Sequence, residues 1–246
     1  MRNKNFNTAF RAHFMYSDKF QTFIKIWQQE FAIEKTIDDK VCVDKSGRPL
    51  PWYTYPAIEY LDQFDYAAKR VFEYGCGSSS LFWAGRALSV TGVEDNPQWF
   101  SKWQKELRAP NLEILLRDES EKYENAIFET EHNFDIIVID GKRREKCCAA
   151  AVQKLSPGGM IILDDSDRIN TSREYAGAVA ELKKADLLQI DFFGFCPMNN
   201  YTKATSLFLR RDFNFQSRHK TQPANGIGNL WSQSRKARKE FYRRNN

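Results

Sequence analysis

The sequence lacks the features that mark a secreted, zinc-bound or membrane-spanning protein. Its 246 residues include five cysteines, an odd number without the paired spacing of a zinc site, which favours reduced thiols in a cytoplasm. No apolar run approaches the roughly 20 residues that a membrane-spanning helix needs. The first residues also lack the apolar core of a signal peptide. We therefore expect a soluble, cytoplasmic protein.

Histidine is also scarce, with only His13, His132 and His219 in the chain. None of them falls at the end of a predicted central strand, so a catalytic base has to come from another residue type. Aromatic residues are abundant by contrast, with 19 Phe, 10 Tyr and 6 Trp, and they predict an aromatic-rich core. The net charge is +5, and much of the excess lies near the C-terminus, in Arg235, Lys236, Arg238, Lys239, Arg243 and Arg244.

Two closely spaced glycines follow a short strand pattern at 71–74. Gly75 and Gly77 permit backbone conformations and close approaches that a side chain would block. Ser78 or Ser79 is predicted to cap a helix over 81–87. A strand, a tight turn and a helix start of this kind present backbone N–H groups to a ligand, although an ordinary glycine turn has the same pattern.

Strand and helix patterns alternate after this turn and predict a doubly wound, mostly parallel sheet. Strands are predicted at 89–95, 112–116, 134–141 and 160–163, with helices at 97–107, 120–130, 143–155 and 171–184, and a turn at 156–159. Acids fall at the predicted carboxyl ends of these strands, where ligands bind in such folds: Glu94, Asp118, Asp140, Asp164 and Asp165. Segments 187–193 and 205–209, joined by 194–204, predict a closing hairpin.

The predicted organisation has three parts. Residues 1–65 form a helical extension or lid, in which 20–31 has the periodicity of an amphipathic helix. Residues 66–212 form the sheet domain, and residues 213–246 form a basic tail. Clustered Lys and Arg in the tail leave open a nucleic-acid partner, although a solvated terminus has the same composition.

The Glu73-x-Gly75-x-Gly77 motif, with Glu94 nineteen residues after Gly75, resembles class I S-adenosylmethionine-dependent methyltransferases over 71–209. The resemblance implies a Rossmann-like, seven-stranded sheet with an antiparallel last strand. It also implies a cofactor site formed by Glu73, Gly75, Cys76, Gly77, Ser78, Glu94 at the ribose, Asp118 at the adenine and Asp140. An NAD-dependent oxidoreductase is the alternative, but Ser80 replaces the third glycine of a dinucleotide motif.

The stretches Asp140-Gly141 and Asp164-Asp165 also resemble catechol-type and macrolide-sugar O-methyltransferases, in which acids at these strand ends hold magnesium. The resemblance implies Asp140, Asp164 and Asp165 as ligands of a Mg²⁺ ion, for which carboxylates are suitable donors. Asp140 is the preferred catalytic residue, as base or metal ligand, followed by Asp165 and Lys142. Those relatives commonly have His or Tyr after Asp-Gly, where this chain has Lys142.

The expected reaction is O-methylation of a small-molecule acceptor such as a sugar or a phenol. Acceptor specificity is predicted to lie outside the sheet, in the N-terminal helix, in 52–55 and in the loop 195–201, where Asn199, Asn200 and Tyr201 offer hydrogen bonds. An RNA methyltransferase that uses the basic tail and a catalytically silent cofactor-binding protein are the other open alternatives.

Overall fold

The computed structural model describes residues 18–106 and 108–230. His13, Leu107 and the six basic residues predicted to form the end of the tail lie outside the described residues. Seven strands form one sheet in the order β3-β2-β1-β4-β5-β7-β6. They are β1 Arg70–Tyr74, β2 Ser89–Glu94, β3 Leu112–Leu116, β4 Phe134–Ile139, β5 Leu155–Asp164, β6 Leu188–Phe195 and β7 Thr202–Leu209.

β7 is the one strand of this sheet that runs antiparallel to the other six. It pairs with β5, where Asp164 is opposite Thr205, and with β6, where Gly194 is opposite Lys203. The other neighbouring strands pair in parallel. This topology confirms the predicted fold class, a doubly wound, mostly parallel seven-stranded sheet with an antiparallel last strand.

Helices cover both faces of the sheet. They are α1 Asp18–Lys25, α2 Ile33–Asp38, α3 Tyr55–Leu61, α4 Ser78–Ala84, α5 Pro97–Trp103, α6 Ser120–Asn125, α7 Arg144–Lys154 and α8 Arg173–Lys184, with a π-helical turn at Ile26–Glu30 and 3₁₀ turns at Ala126–Glu129 and Ser166–Asn170. β4 is buried on both faces because its side chains alternate between two apolar clusters. Ile137 and Ile139 belong to the cluster under α7 and α8, and Ile136 and Val138 to the cluster under α3 and α4.

The segments on either side of the sheet domain pack together. Trp27 and Phe31 stack on each other and contact Tyr55 of α3. After β7 the chain returns to the same helix region, where Phe215 is buried and Arg218 donates its backbone N–H to the Gln63 carbonyl. The segment 213–230 is therefore in contact with the sheet domain and its neighbouring helix through Phe215 and Arg218. The division of the chain into three parts stays a prediction.

Three local predictions were wrong. The helix after the glycine turn begins at Ser78, and Gly77 is its N-cap residue, so neither Ser78 nor Ser79 is the cap. The backbone N–H of Gly77 donates a hydrogen bond to Ser80 Oγ. The turn predicted at 156–159 belongs to β5, which begins at Leu155. β6 and β7 extend towards each other, so the loop that joins them is shorter than predicted.

Candidate active site

A cavity of about 500 Å³ opens at the carboxyl ends of β1, β2, β4 and β5. We call the end lined by Gly75, Cys76, Gly77, Glu94 and Trp99 the cofactor half, and the end lined by Asp140, Asp164, Asp165 and Lys203 the acceptor half. Trp52, Asn199 and Tyr201 also line this cavity, whereas Asn200 is exposed outside it. The two halves meet where the loops after β1 and β4 touch.

Gly75 makes that meeting of loops possible. Its φ of +88° favours glycine, and a Cβ at this position would lie 2.8 Å from the Gly141 nitrogen. Gly92 of β2 leaves room for the same loop, because a Cβ there would lie 2.6 Å from the Cys76 sulfur. The backbone of the cofactor half is thus fixed by close contacts that leave no room for side chains.

Glu73 lies beneath the glycine loop and is fully buried. One carboxylate oxygen accepts a hydrogen bond from Ser80 Oγ, while the other, Oε1, has no partner among residues 18–106 and 108–230. Burial raises the pKa of Glu73 to about 8, although hydrogen bonds from Ser79 and Ser80 oppose that shift. A cationic ligand would favour the ionised form of this acid, whereas a pyrophosphate would disfavour it.

Glu94 ends β2 at the wall of the cofactor half. Its carboxylate accepts hydrogen bonds from the backbone N–H groups of Cys76 at 3.2 Å, Asp95 at 3.1 Å and Asn96 at 3.0 Å. Burial nevertheless raises its pKa. Trp99, on α5, donates its indole N–H to the Cys76 carbonyl at 2.7 Å and is 40% exposed. A carboxylate and an aromatic side chain therefore flank the glycine loop.

The acceptor half contains the three carboxylates predicted as metal ligands. One oxygen from each of Asp140, Asp164 and Asp165 lies within 4.8 Å of the others. Asp164 and Asp165 follow one another at the end of β5, and Asp165 has a φ of +53°, which turns the chain into the next 3₁₀ helix. The parallel pairing of β4 and β5 brings Asp140 beside them.

The same carboxylates are already paired with cations. Lys203 Nζ donates to Asp164 Oδ2 and lies 3.1 Å from Asp165 Oδ1. Arg144 Nη2 lies 3.1 Å from Asp140 Oδ1, and Arg168 Nη2 lies 3.1 Å from Asp165 Oδ2. The residues present therefore do not fit a Mg²⁺ ion, because a lysine ammonium contacts the oxygens that the ion would need.

Burial dominates the titration of this cluster. It raises the pKa of Asp164 to about 7, and the neighbouring charge of Asp140 adds to the shift. It also raises the pKa of Asp140, while Arg144 and Lys203 act in the opposite direction. The carboxylates hold the pKa of Lys203 above its usual range despite burial, so this ammonium keeps its proton.

The structure brings most of the predicted site residues to the cavity. Its lining includes Gly75, Cys76, Gly77, Ser78, Glu94, Asp140, Lys142, Asp164 and Asp165. Glu73 lies below the loop, and Asp118 is exposed and outside the lining. Lys142 lies at the rim, where its ammonium pairs with Asp95 at 2.9 Å, and that pairing raises its pKa. The roles of these residues stay predictions.

Sequence reasoning missed two functional candidates, the cations Arg168 and Lys203. For Arg144 it left two interpretations open, a contact with an anionic substrate and a solvated helix start. Arg144 opens α7 and is 5% exposed, and its guanidinium donates to the backbone carbonyls of Ile139, Asp140 and Gly141. Lys203 interrupts an otherwise apolar and hydroxyl-bearing strand, which is the one signal that could have drawn attention to it.

No protein-family model matches the chain, and no curated protein matches it. Solved structures resemble it at low identity. One is precorrin-6y C5,15-methyltransferase from Geobacter metallireducens, 15% identical, with 70% of this chain and 96% of that chain covered and a TM-score of 0.48. Another is an N-methyltransferase from Bradyrhizobium japonicum, 17% identical, with 58% and 86% covered and a TM-score of 0.43.

Spermidine synthase from Thermotoga maritima is also similar, at 16% identity and a TM-score of 0.46, with 59% of this chain and 56% of that chain covered. The strand order and the antiparallel β7 described above define the Rossmann-like fold of class I S-adenosylmethionine-dependent methyltransferases. In the part of the chain that the structure describes, no helix has the length and apolarity to cross a membrane.

Proposed function

We propose that this chain is an S-adenosylmethionine-dependent methyltransferase that methylates an oxygen of a small polar acceptor, such as a sugar or a phenol. One observation carries the proposal. A single cavity joins a glycine loop flanked by Glu94 and Trp99 to an acid, Asp140, whose side chain reaches the same space. Methyl transfer depends mainly on positioning, and this cavity is large enough to hold two reactants side by side.

The cofactor half supplies the contacts that an adenosine and a methionine need. Glu94 accepts hydrogen bonds from ribose hydroxyls, and its three backbone bonds hold the carboxylate in place for that role. The exposed face of Trp99 is suited to packing against a base. Glu73 lies beneath the loop, where its Oε1 has no hydrogen-bond partner among the described residues and so leaves an acceptor atom open. The bound cofactor supplies a methyl group on a positively charged sulfur.

Asp140 is the proposed general base in the acceptor half. Its Oδ1 accepts from Arg144 at 3.1 Å, whereas Oδ2 accepts no hydrogen bond within 18–106 and 108–230. That oxygen is therefore available to take the proton of an acceptor hydroxyl. Burial raises the pKa of Asp140, which makes it a stronger base than an exposed aspartate. Lys142 keeps its proton beside Asp95 and does not suit this role.

The remaining walls favour a polar acceptor with a flat face. Asn199 and Tyr201 offer hydrogen-bonding groups, and Trp52 offers an aromatic surface that is 42% exposed. Sugars and phenols both present a hydroxyl beside a face that packs against aromatic rings.

The test is transfer of a labelled methyl group from the cofactor to sugars, phenols, small acids and RNA. We expect transfer to a sugar or a phenol. Asp140→Asn is expected to lower kcat by about 10² to 10⁴, the usual contribution of a general base. Glu113→Gln, which changes an exposed carboxyl on β3 outside the cavity lining, is the control and is expected to leave kcat unchanged. An undiminished kcat in Asp140→Asn would remove Asp140 from the role of base, and no transfer to any of the four classes would contradict the activity.

A further inference from the structure

Lys203 is a buried lysine inside the carboxylate cluster of the acceptor half. It is the second residue of β7, and its side chain is 7% exposed. The ammonium donates to Asp164 Oδ2 and lies 3.1 Å from Asp165 Oδ1. Lysine is almost never buried unless it is paired, and here both partners are carboxylates that would otherwise be free to bind a metal.

The remaining carboxylate oxygens are also engaged. Thr205 Oγ1 donates to Asp164 Oδ1 at 2.6 Å. Arg168 Nη2 lies 3.1 Å from Asp165 Oδ2, and Arg144 Nη2 lies 3.1 Å from Asp140 Oδ1. Within the described residues, Asp140 Oδ2 is thus the one oxygen of the three carboxylates that neither accepts a hydrogen bond nor makes the closest contact with a cation.

The charges of the cluster also balance without a metal. When all three are ionised, the carboxylates face three cations, the ammonium of Lys203 and the guanidinium groups of Arg144 and Arg168. A divalent ion would add two positive charges to this balanced group. Magnesium usually binds through one or two carboxylates and several waters, and here the oxygens of Asp164 and Asp165 that face the cluster already contact the Lys203 ammonium.

We propose that the ammonium of Lys203 takes the place of a divalent cation in the acceptor half. The catalytic role of Lys203 rests on the proposed methyltransferase function, because it concerns the acceptor half of that site. A lysine ammonium has three N–H donors, and two carboxylates contact this one. Lys203 lines the cavity, so the third donor remains for the acceptor oxygen while Asp140 Oδ2 takes the proton.

The proposal predicts a gain of metal binding when the lysine is removed. Lys203→Met leaves three carboxylates within 4.8 Å of one another without their central cation. Electron paramagnetic resonance of Mn²⁺, titrated at pH 8 into protein without methyl donor, measures that binding. We expect the wild type to bind Mn²⁺ no more tightly than about 1 mM and Lys203→Met to bind at least about tenfold more tightly, in the range of weak carboxylate sites.

Matched variants make the result specific. Lys142→Met removes a lysine from the rim of the same cavity and is expected to behave as the wild type. Asp164→Asn, added to Lys203→Met, is expected to abolish the gained site. Circular dichroism and Tm verify folding, and Lys203→Gln serves as a second variant if the Met variant does not fold.

Two results would overturn the inference. One is a wild-type Mn²⁺ site below about 100 µM that Asp164→Asn removes. The other is a folded Lys203→Met or Lys203→Gln protein without any gain in Mn²⁺ affinity. Because the measurement uses Mn²⁺ alone, neither result depends on whether the protein transfers methyl groups.

Discussion

The two halves of the cavity are built by different means. In the cofactor half, backbone atoms make most of the contacts, since the loop after β1 touches the loop after β4 at Gly75 and three backbone N–H groups hold Glu94. In the acceptor half, charged side chains from β5, α7 and β7 neutralise one another. Backbone contacts fix shape at little electrostatic cost, whereas ion pairs make the other half sensitive to each charge.

The largest expected effect is on the pH dependence of the free energy of unfolding, and it comes from Glu73 in the cofactor half. The native pKa is about 8 against an ordinary value of 4.5. Between these values the unfolded chain has released its proton while the native chain keeps it. Wild-type stability therefore falls as pH rises from 4.5 to about 8. Each unit of pKa difference is worth about 1.4 kcal/mol, so we expect a loss of a few kcal/mol.

Urea unfolding at a series of pH values measures this loss. Glu73→Gln is expected to remove that part of the pH dependence, since a glutamine does not titrate. Glu113→Gln, an exposed position on β3, is the control and is expected to keep the wild-type profile. An unchanged profile in Glu73→Gln would show that the acid beneath the cofactor half is already ionised at neutral pH.

Gly75→Ala tests the backbone contact between the halves. The φ of +88° and a Cβ only 2.8 Å from the Gly141 nitrogen both oppose a side chain here. We expect a loss of about 2 kcal/mol in the free energy of unfolding. Gly77→Ala is the matched control, because nothing lies within 4 Å of its Cβ position and its φ is extended. Equal stability of the two variants would contradict the close approach.

Lys142→Ala has the smallest expected effect. Its ammonium joins the halves at the rim through Asp95, but its side chain is 67% exposed. Exposed ion pairs contribute roughly 0 to 1 kcal/mol. We expect a change of less than 1 kcal/mol in the free energy of unfolding. A larger loss in urea unfolding would show that the rim pair is a structural link between the halves.

The cofactor half could be predicted from the sequence to a greater extent than the acceptor half. The alternation of strands and helices places Gly75 and Glu94 at neighbouring strand ends, because parallel strands end at the same edge. The position of Glu73 below the loop was not predictable, since a strand pattern does not show which layer a side chain enters. The carboxylates of Asp140, Asp164 and Asp165 were found in the same way as Glu94.

The cations of the acceptor half come from elements that the sequence does not bring together. Lys203 reaches Asp164 across the antiparallel pairing of β5 and β7, two strands that are separated by α8 and β6 along the chain. Arg144 had two interpretations from the sequence, a contact with an anionic substrate or a solvated helix start, whereas its guanidinium turns inwards to backbone carbonyls and to Asp140. Both contacts depend on tertiary packing, which local patterns do not show.

Isothermal titration with S-adenosylhomocysteine and with NAD tests the central claim most directly. We predict that the wild type binds S-adenosylhomocysteine and that Glu94→Gln binds it about tenfold or more weakly, since a hydrogen bond to a charged group contributes about 1.5 to 3 kcal/mol. Glu113→Gln, the exposed control on β3, is expected to bind as the wild type does. Tight binding of NAD without any response to S-adenosylhomocysteine would contradict the account.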